Sequence, residues 1–110
     1  MTEEQIQNKC ILWFDSEYPE HRQMLFHVDN NSWNPIIGAK KKALGVRAGV
    51  SDLILIAPRR VVFIEMKTET GVQKQEQLSF EEKLAKRGQI YIIVRSLEQF
   101  KEVIWEIIGR

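Results

Sequence analysis

The chain is poor in the residues that build disulfide frameworks and zinc sites. Its 110 residues include one cysteine, Cys10, and two histidines, His21 and His27. A single cysteine excludes an intrachain disulfide framework, which fits a protein of the reducing cytosol. The same count excludes zinc sites built on paired cysteines, and two histidines do not replace them.

Long apolar runs and a strong net charge are also missing. No apolar segment approaches the roughly 20 residues that a membrane-spanning helix needs, and the N-terminus lacks a signal-peptide pattern. The formal net charge is +1, so charge alone gives no argument for nucleic acid. A hydrophobic fraction of 44% with 28% charged residues is ordinary for a globular protein. We expect one cytoplasmic domain over residues 1–110 that makes no membrane contact.

The hydrophobic pattern predicts an α/β fold with the element order α-β-β-β-α-β-α. Two apolar runs within 52–67 are nearly continuous, which predicts a hairpin covered by helices on both faces. Residues 29–49 carry Gly, Pro and Asn and are predicted to form a long functional loop with at most a helical turn. The other predicted elements are a helix capped by Thr2 and ending near Ser16, a strand at 24–28, a helix from Gly71 to Gly88, a strand at 90–94 and a helix capped by Ser96.

Three charged residues stand at one end of the predicted hairpin. Asp52 precedes its first apolar run, and Glu65 and Lys67 close the second. Because strand side chains alternate between faces, Glu65 and Lys67 point the same way. A turn at Pro58-Arg59 pairs residue 52 with residue 65, and directly opposed Cβ atoms lie about 4.5–5.5 Å apart. The spacing therefore predicts two carboxylates and one ammonium in a single cluster.

Such a cluster suggests a metal-dependent phosphodiesterase. Two adjacent carboxylates repel each other, and a divalent cation relieves that repulsion. Asp52, Glu65 and the carbonyl of Met66 offer the oxygen ligands that Mg²⁺ prefers, and Mn²⁺ is expected to substitute. Lys67 beside the ion can orient a water and stabilise charge on a phosphate. Glu-x-Lys alone does not establish this, because charged residues are common where strands emerge into water.

Two longer patterns resemble the VRR-NUC family, the virus-type replication-repair nucleases of the PD-(D/E)xK superfamily. The resemblance covers nearly the whole chain and implies a restriction-endonuclease-like core, with a mixed central sheet flanked by helices. The first pattern is Gly45-Val46-Arg47-Ala48-Gly49-Val50-Ser51-Asp52-Leu53 followed by Glu65-Met66-Lys67, and the second is the spacing of Gly71, Gln77, Phe80, Leu84 and Gly88.

The resemblance also implies roles for individual residues. Ser51 departs from the pattern, since the family usually has proline there, and the backbone before Asp52 is expected to be less restrained. A helical glutamate of the family matches Glu3 best, with Glu4 as the alternative. The other implied roles are metal-binding acids at Asp52 and Glu65, the catalytic lysine at Lys67 and the helix glutamine near the site at Gln77.

The family members that stand alone in phage and bacteria resemble junction-resolving enzymes that act as homodimers. The expected function is therefore a Mg²⁺-dependent, structure-specific DNA endonuclease that resolves four-way (Holliday) junctions as a homodimer, since a twofold axis suits a symmetric junction. A flap or single-strand nuclease with the same site is one alternative. A DNA-binding module that does not cleave is the other.

A basic segment precedes the predicted site. Its lysines and arginine are expected to contact DNA phosphates without reading bases, although a solvated loop is the alternative. Trp33 lies in the same polar segment, where it can stack on a base, fill a dimer contact or fold back onto the core. The expected phosphate contacts are Lys40, Lys41, Lys42 and Arg47.

Overall fold

The computed structural model describes residues 1–29 and 34–110, so the prediction for Trp33 lies outside the described residues. Along these two ranges, no helix combines the length and the apolar character needed to cross a bilayer. The elements are α1 (Glu3–Glu17), a 3₁₀ helix (Pro19–Met24), β1 (Leu25–His27), α2 (Pro35–Ala43), β2 (Leu53–Ala57), β3 (Arg60–Met66), α3 (Gln75–Lys86), β4 (Ile90–Val94) and α4 (Leu97–Ile108).

The described strands form one mixed sheet in the order β1-β2-β3-β4. β2 is antiparallel to both of its neighbours, whereas β3 and β4 run parallel and are joined through α3. Pro58 and Arg59 make the two-residue turn between β2 and β3, with Arg59 in the left-handed region at φ 68°. Leu53 pairs with Ile64, so the predicted hairpin register is confirmed.

Helices α1 and α4 cover one face of the sheet with apolar side chains. Thr2 caps α1 as predicted, because its Oγ1 accepts a hydrogen bond from Gln5 N at 3.2 Å. Trp13 of α1 makes edge-on contacts with the rings of Phe100 and Trp105, at 6.0 Å between centroids in each case. The fully buried side chains on this side include Cys10, Phe14, Leu53, Leu55, Val62, Ile64, Met66, Val94, Phe100 and Ile104.

Helix α3 covers only part of the opposite face. Phe80 of α3 packs edge-on against Phe63 of β3 at 5.8 Å and against Tyr91 of β4 at 6.2 Å. Beyond α3, Phe26 of β1 is 40% exposed and Ile56 of β2 is 43% exposed. The prediction that helices cover both faces of the hairpin is therefore wrong for the outer side of β2.

The segment predicted as a loop contains a helix. The prediction for residues 29–49 is wrong over Pro35–Ala43, which forms α2. Asn34 caps it by accepting a hydrogen bond from Ile37 N at 2.9 Å, and Pro35 suits its first turn. None of its described side chains is buried, so no apolar stripe marked the helix in the sequence.

The start of α3 also differs from the prediction. Gly71 does not open the helix, because its backbone N–H donates to the Thr68 carbonyl at 3.2 Å within a turn, and α3 begins four residues later. The apolar spacing of this segment predicts that Leu78, Leu84 and Ala85 face inward. Leu84 is buried, whereas Leu78 is 44% exposed and Ala85 is also exposed, so the prediction is wrong for these two. The sheet-facing side of α3 is instead more polar than the apolar spacing suggested.

Candidate active site

The end of the β2–β3 hairpin lies under the first turn of α3. There the chain forms a pocket of about 340 Å³ whose lining includes Asp52, Lys67 and Gln77. Glu3, in the first turn of α1, lines the same pocket, as does the loop from Ala48 to Val50. Four elements or loops that are distant in sequence therefore meet at one end of the sheet.

Asp52 is held by both neighbouring strands. Its Oδ2 accepts a hydrogen bond from Met66 N at 2.7 Å, across the end of the hairpin. Its backbone carbonyl accepts from Val28 N at 2.8 Å and lies 2.8 Å from His27 Nδ1. Ser51, the departure from the family pattern, is fully buried and its hydroxyl donates to the Leu53 carbonyl at 3.2 Å. Hydrogen bonds restrain this backbone where a proline ring would otherwise do so.

Glu65 is buried to 1% exposure beside Lys67, which is 4% exposed. Its Oε2 accepts a hydrogen bond from Gln77 Nε2 at 3.0 Å and lies 3.7 Å from Lys67 Nζ. Its Oε1 accepts a longer hydrogen bond from the Tyr91 hydroxyl at 3.4 Å. Glu65 and Lys67 therefore share one face of β3, as strand alternation predicted.

The pKa of Glu65 is raised, and the positive charge near this carboxyl group is too small to prevent the rise. Burial raises its pKa to about 8, with Asp52 adding to the rise by hydrogen bonding and by its charge. The Lys67 ammonium lowers the pKa but does not offset these effects, and Glu3 raises it slightly. A metal-free site at neutral pH thus favours a protonated Glu65, because one ammonium does not neutralise two adjacent carboxylates.

Gln77 links the start of α3 to the buried acid. Its Oε1 accepts a hydrogen bond from the backbone N–H of Lys74 at 2.8 Å, directly before the helix begins. An amide whose oxygen is engaged in this way must turn its NH₂ group to its other neighbour, here Glu65 Oε2. Gln77 therefore fixes the carboxylate through a rigid helix end.

The loop before Asp52 touches α3 without an intervening side chain. Gly49 has φ +84°, and a Cβ added there would lie 2.3 Å from the Glu76 carbonyl oxygen. Only glycine allows both this conformation and this approach. Gly49 thus brings the first turn of α3, and Gln77 with it, against the loop that leads to Asp52.

The two candidate helical acids take different positions. Glu3 lines the pocket that contains Asp52 and Lys67, whereas Glu4 lines a neighbouring pocket of about 480 Å³ together with His27. Glu3 lines that second pocket too, because it stands between the two. Asp52 lines both pockets and Lys67 lines the first, so Glu3 shares a pocket with Asp52 and Lys67 and Glu4 shares one with Asp52.

The predicted DNA-contacting residues lie at the end of α2 and just after it. Lys40 and Lys42 are exposed, and Lys41 is half-buried with its Nζ 3.4 Å from Asp29 Oδ2. Arg47 Nη1 donates to the Lys42 carbonyl at 3.2 Å, which ties the segment back to the helix. Ala48 lines both the site pocket and a pocket under α2, so this basic segment is continuous with the site.

The donor set suits a divalent cation of the oxygen-preferring type. Within residues 1–29 and 34–110, no three His, Cys, Asp or Glu side chains form a metal-binding group. Mg²⁺ does not need three, because it commonly takes one or two carboxylates and completes its octahedron with water. Asp52 and Glu65 supply two, and the Met66 carbonyl lies on the same strand edge as the N–H that bonds Asp52. Burial raises the pKa of Glu65, the repulsion between these two carboxyl groups raises it further, and this repulsion fits the predicted ion.

Sequence reasoning missed several residues around the cluster. Lys74 is exposed and lines the pocket immediately before α3. Tyr91 reaches Glu65 from β4, and Gln73, in the segment before α3, donates from its Nε2 to the Tyr91 hydroxyl at 3.3 Å. No spacing rule joins them to Glu65, because their meeting depends on how α3 crosses over to β4.

Known structures support the fold described above. A solved structure titled "VRR_NUC domain protein" is similar with a TM-score of 0.81 and 26% identity, covering 98% of this chain and 88% of that one. Another, titled "VRR_NUC domain", has a TM-score of 0.59 and 24% identity, covering 94% and 96% respectively. A scan of protein-family models found no match, and neither did a search of curated proteins.

The class of fold is therefore restriction-endonuclease-like, with a four-stranded mixed sheet flanked by helices, as predicted. Within that class the chain has the VRR_NUC architecture, which confirms the resemblance drawn from Asp52, Glu65 and the glutamine helix. The neighbour with 26% identity supports a nuclease family for this chain.

Proposed function

We propose that this chain is a Mg²⁺-dependent, structure-specific DNA endonuclease that resolves four-way junctions as a homodimer. The observation that carries the proposal is the buried pair of Glu65 and Lys67 at the end of a hairpin, where Lys67 and Asp52 line a pocket. Holding a buried acid and a half-buried acid beside one cation is costly for a merely structural role. A bound divalent cation would make this arrangement favourable, because it would offset the charge of the two carboxylates and of a phosphate.

The proposed reaction is hydrolysis of a phosphodiester. Asp52 and Glu65, with the Met66 carbonyl, would hold the ion. When bound, the ion would supply Lewis acidity and offset the charge of the phosphate. Lys67, whose Nζ lies 3.7 Å from Glu65 Oε2, would orient the attacking water and stabilise the negative charge that develops on phosphorus-bound oxygens. The water oxygen bonds to phosphorus, one P–O bond to sugar breaks, the water loses a proton to solvent and the leaving oxygen gains one.

The remaining site residues would position these groups. Gln77 would keep the carboxylate of Glu65 in place through its bond to the start of α3. Glu3, in the same pocket, would act from α1 on water or on the ion. Lys40, Lys41, Lys42 and Arg47 would hold the DNA backbone beside the pocket, because a cluster of cations gives sequence-independent affinity for phosphates.

The homodimer is proposed to form through the open side of the sheet. Phe26 pairs with Ile54 across β1 and β2, and Ile56 lies two residues further on the same face as Ile54 and Asp52. A partly exposed apolar strip of this kind favours a self-complementary contact. Because the strip runs from the site along β2, two copies joined there would carry their sites on neighbouring surfaces, as a four-way junction requires.

A panel of synthetic DNAs tests the proposal. The full chain is incubated with four-way junction, flap, single-stranded and linear duplex DNA, in Mg²⁺ and in EDTA, and its solution mass is measured by light scattering. We expect Mg²⁺-dependent cleavage of the junction and the mass of a dimer. Preferred cleavage of flaps or single strands would show that the chain is a flap or single-strand nuclease and not a junction resolvase. Binding of DNA without cleavage would show that it is a DNA-binding module and not an enzyme.

Removing the lysine tests the mechanism. Lys67→Ala, together with Lys67→Met, which keeps the apolar stem, should abolish cleavage while the thermal unfolding curve remains cooperative. The matched control is Lys86→Ala on exposed α3, where Lys86 forms only a surface pair with Glu82. Undiminished cleavage by both Lys67 variants would contradict the mechanism.

A further inference from the structure

A second layer of polar side chains stands behind the proposed site. Tyr91 donates from its hydroxyl to Glu65 Oε1 at 3.4 Å, the oxygen opposite the one held by Gln77. Gln73 Nε2 donates to the Tyr91 hydroxyl at 3.3 Å and to Glu81 Oε1 at 3.1 Å. The described side chains thus form a chain of hydrogen bonds from Glu81 on α3 to the buried acid.

The directions of these bonds agree with one another. The amide of Gln73 has two protons, and it gives one to Glu81 and one to the Tyr91 oxygen. Because the tyrosine oxygen accepts from Gln73, its own proton is left for Glu65. Each donor in this series therefore has an acceptor, and all three hydrogen bonds can form at the same time.

The ring of Tyr91 is fixed independently of its hydroxyl. It packs edge-on against Phe80 at 6.2 Å, and Phe80 packs in turn against Phe63. A ring held in this way delivers its hydroxyl to one place at little entropic cost. Loss of the hydroxyl alone should accordingly leave the packing of α3 on β4 unchanged.

We infer that Tyr91 is a positioning residue for Glu65, and that Gln73 acts on Glu65 through Tyr91. This inference rests on the proposed metal-dependent nuclease function. Gln77 and Tyr91 hold the two carboxylate oxygens from opposite sides, so the carboxylate keeps one orientation towards Asp52. Groups that orient a ligand in this way typically change metal affinity or activity about 10–100-fold when removed.

The test compares Tyr91→Phe and Gln73→Ala with the wild-type chain. The matched control is Tyr18→Phe, which removes the same hydroxyl at a place where it donates to the Gly109 carbonyl, away from the site. Calorimetric titration with Mn²⁺, cleavage rates under saturating DNA and thermal unfolding are measured for each. We expect Tyr91→Phe to bind Mn²⁺ about tenfold more weakly and to cleave more slowly. Its melting temperature should stay as close to wild type as that of Tyr18→Phe.

The double variant Tyr91→Phe with Gln73→Ala shows whether Gln73 acts on Glu65 through Tyr91 or independently of it. If Gln73 acts through Tyr91, adding Gln73→Ala to Tyr91→Phe should weaken Mn²⁺ binding little further. Fully additive losses would overturn the role of Gln73. Wild-type Mn²⁺ affinity in Tyr91→Phe, with a cleaving wild-type protein, would overturn the role of Tyr91 alone. A wild-type chain that neither binds Mn²⁺ nor cleaves DNA would overturn the proposed function and this inference together.

Discussion

On one face of the sheet, α1 and α4 pack against apolar side chains. On the other face, α3 packs against a partly polar surface and leaves the end of the hairpin open. Phe100 is fully buried on the first face. Glu65 and Lys67 are almost as buried on the second, yet Lys67 borders a pocket. The comparison shows that burial serves stability on the first face. On the second, burial imposes an electrostatic cost that an apolar core avoids.

The largest expected effect tests the stabilising role of the closed face. Phe100→Ala should lower the free energy of unfolding by about 3–5 kcal/mol, as truncation of a buried phenylalanine usually does. Phe80→Ala on the α3 face should cost clearly less, because Phe80 is only half-buried. Urea unfolding of the metal-free proteins measures both, and equal losses would show that the two faces do not differ in this way.

Gly49→Ala should have the next largest effect, by forcing α3 away from the loop before Asp52. The added Cβ would collide with the Glu76 carbonyl and the positive φ would be strained, for a combined loss of about 3 kcal/mol. Cleavage should fall further than the loss of stability explains, because Gln77 moves with the helix. Gly45→Ala is the control, since its φ is also positive but no atom of the described residues lies within 4 Å of an added Cβ, and it should cost about 1 kcal/mol.

The acidity of Glu65 predicts how stability depends on pH. Its pKa is about 8 in the folded protein, against roughly 4.3 in the unfolded chain, so between these values the folded state holds a proton that the unfolded state has lost. Stability should therefore fall as pH rises from 5 to 8, by at most about 1.4 kcal/mol per pH unit, and level off above pH 8.

The measurement is urea unfolding in EDTA at several pH values, for wild type and for Glu65→Gln. The neutral glutamine removes this titration, so the difference between the two proteins should change across the window in the direction given. Parallel curves would mean that Glu65 titrates near its ordinary pKa, and that the two carboxylates are less crowded than their positions suggest.

The smallest expected effect concerns the mouth of the pocket. Lys74 is exposed, so solvent screens its attraction for a DNA phosphate and the effect of removing its charge should be small. We expect Lys74→Gln to raise KM about two- to fivefold with kcat unchanged. The salt dependence of binding should also become less steep. Lys86→Gln, which lies further along α3, should leave both quantities unaltered, and an equal change in the two variants would mean that Lys74 contributes only to the overall charge.

Much of this arrangement followed from local rules. Two apolar runs separated by Pro58-Arg59 determine the hairpin register, and strand alternation then brings Asp52, Glu65 and Lys67 to one end. The fold class is then predicted from the spacing of the glycines and the glutamine in the longer pattern. In each case the information lies within a few residues or at a fixed spacing.

Other features depend on packing between distant elements and could not be predicted in this way. Helix α2 lies exposed on the surface, so its sequence carries no apolar stripe. Tyr91 meets Glu65 because β4 lies beside β3, and Gln73 meets Tyr91 because the chain turns before α3 begins. Leu78 is 44% exposed and follows Gln77, whose side chain bonds Glu65.

The central claim is that the open face holds a metal site built on Asp52 and Glu65. Calorimetric titration of the full chain with Mn²⁺ tests it directly, using Asp52→Asn against the control Asp15→Asn, whose carboxylate pairs with Arg22 far along α1. We predict saturable binding by the wild type and the control and none by Asp52→Asn, with all three proteins folded. Unchanged binding by Asp52→Asn, or no binding by the wild type, would contradict the account.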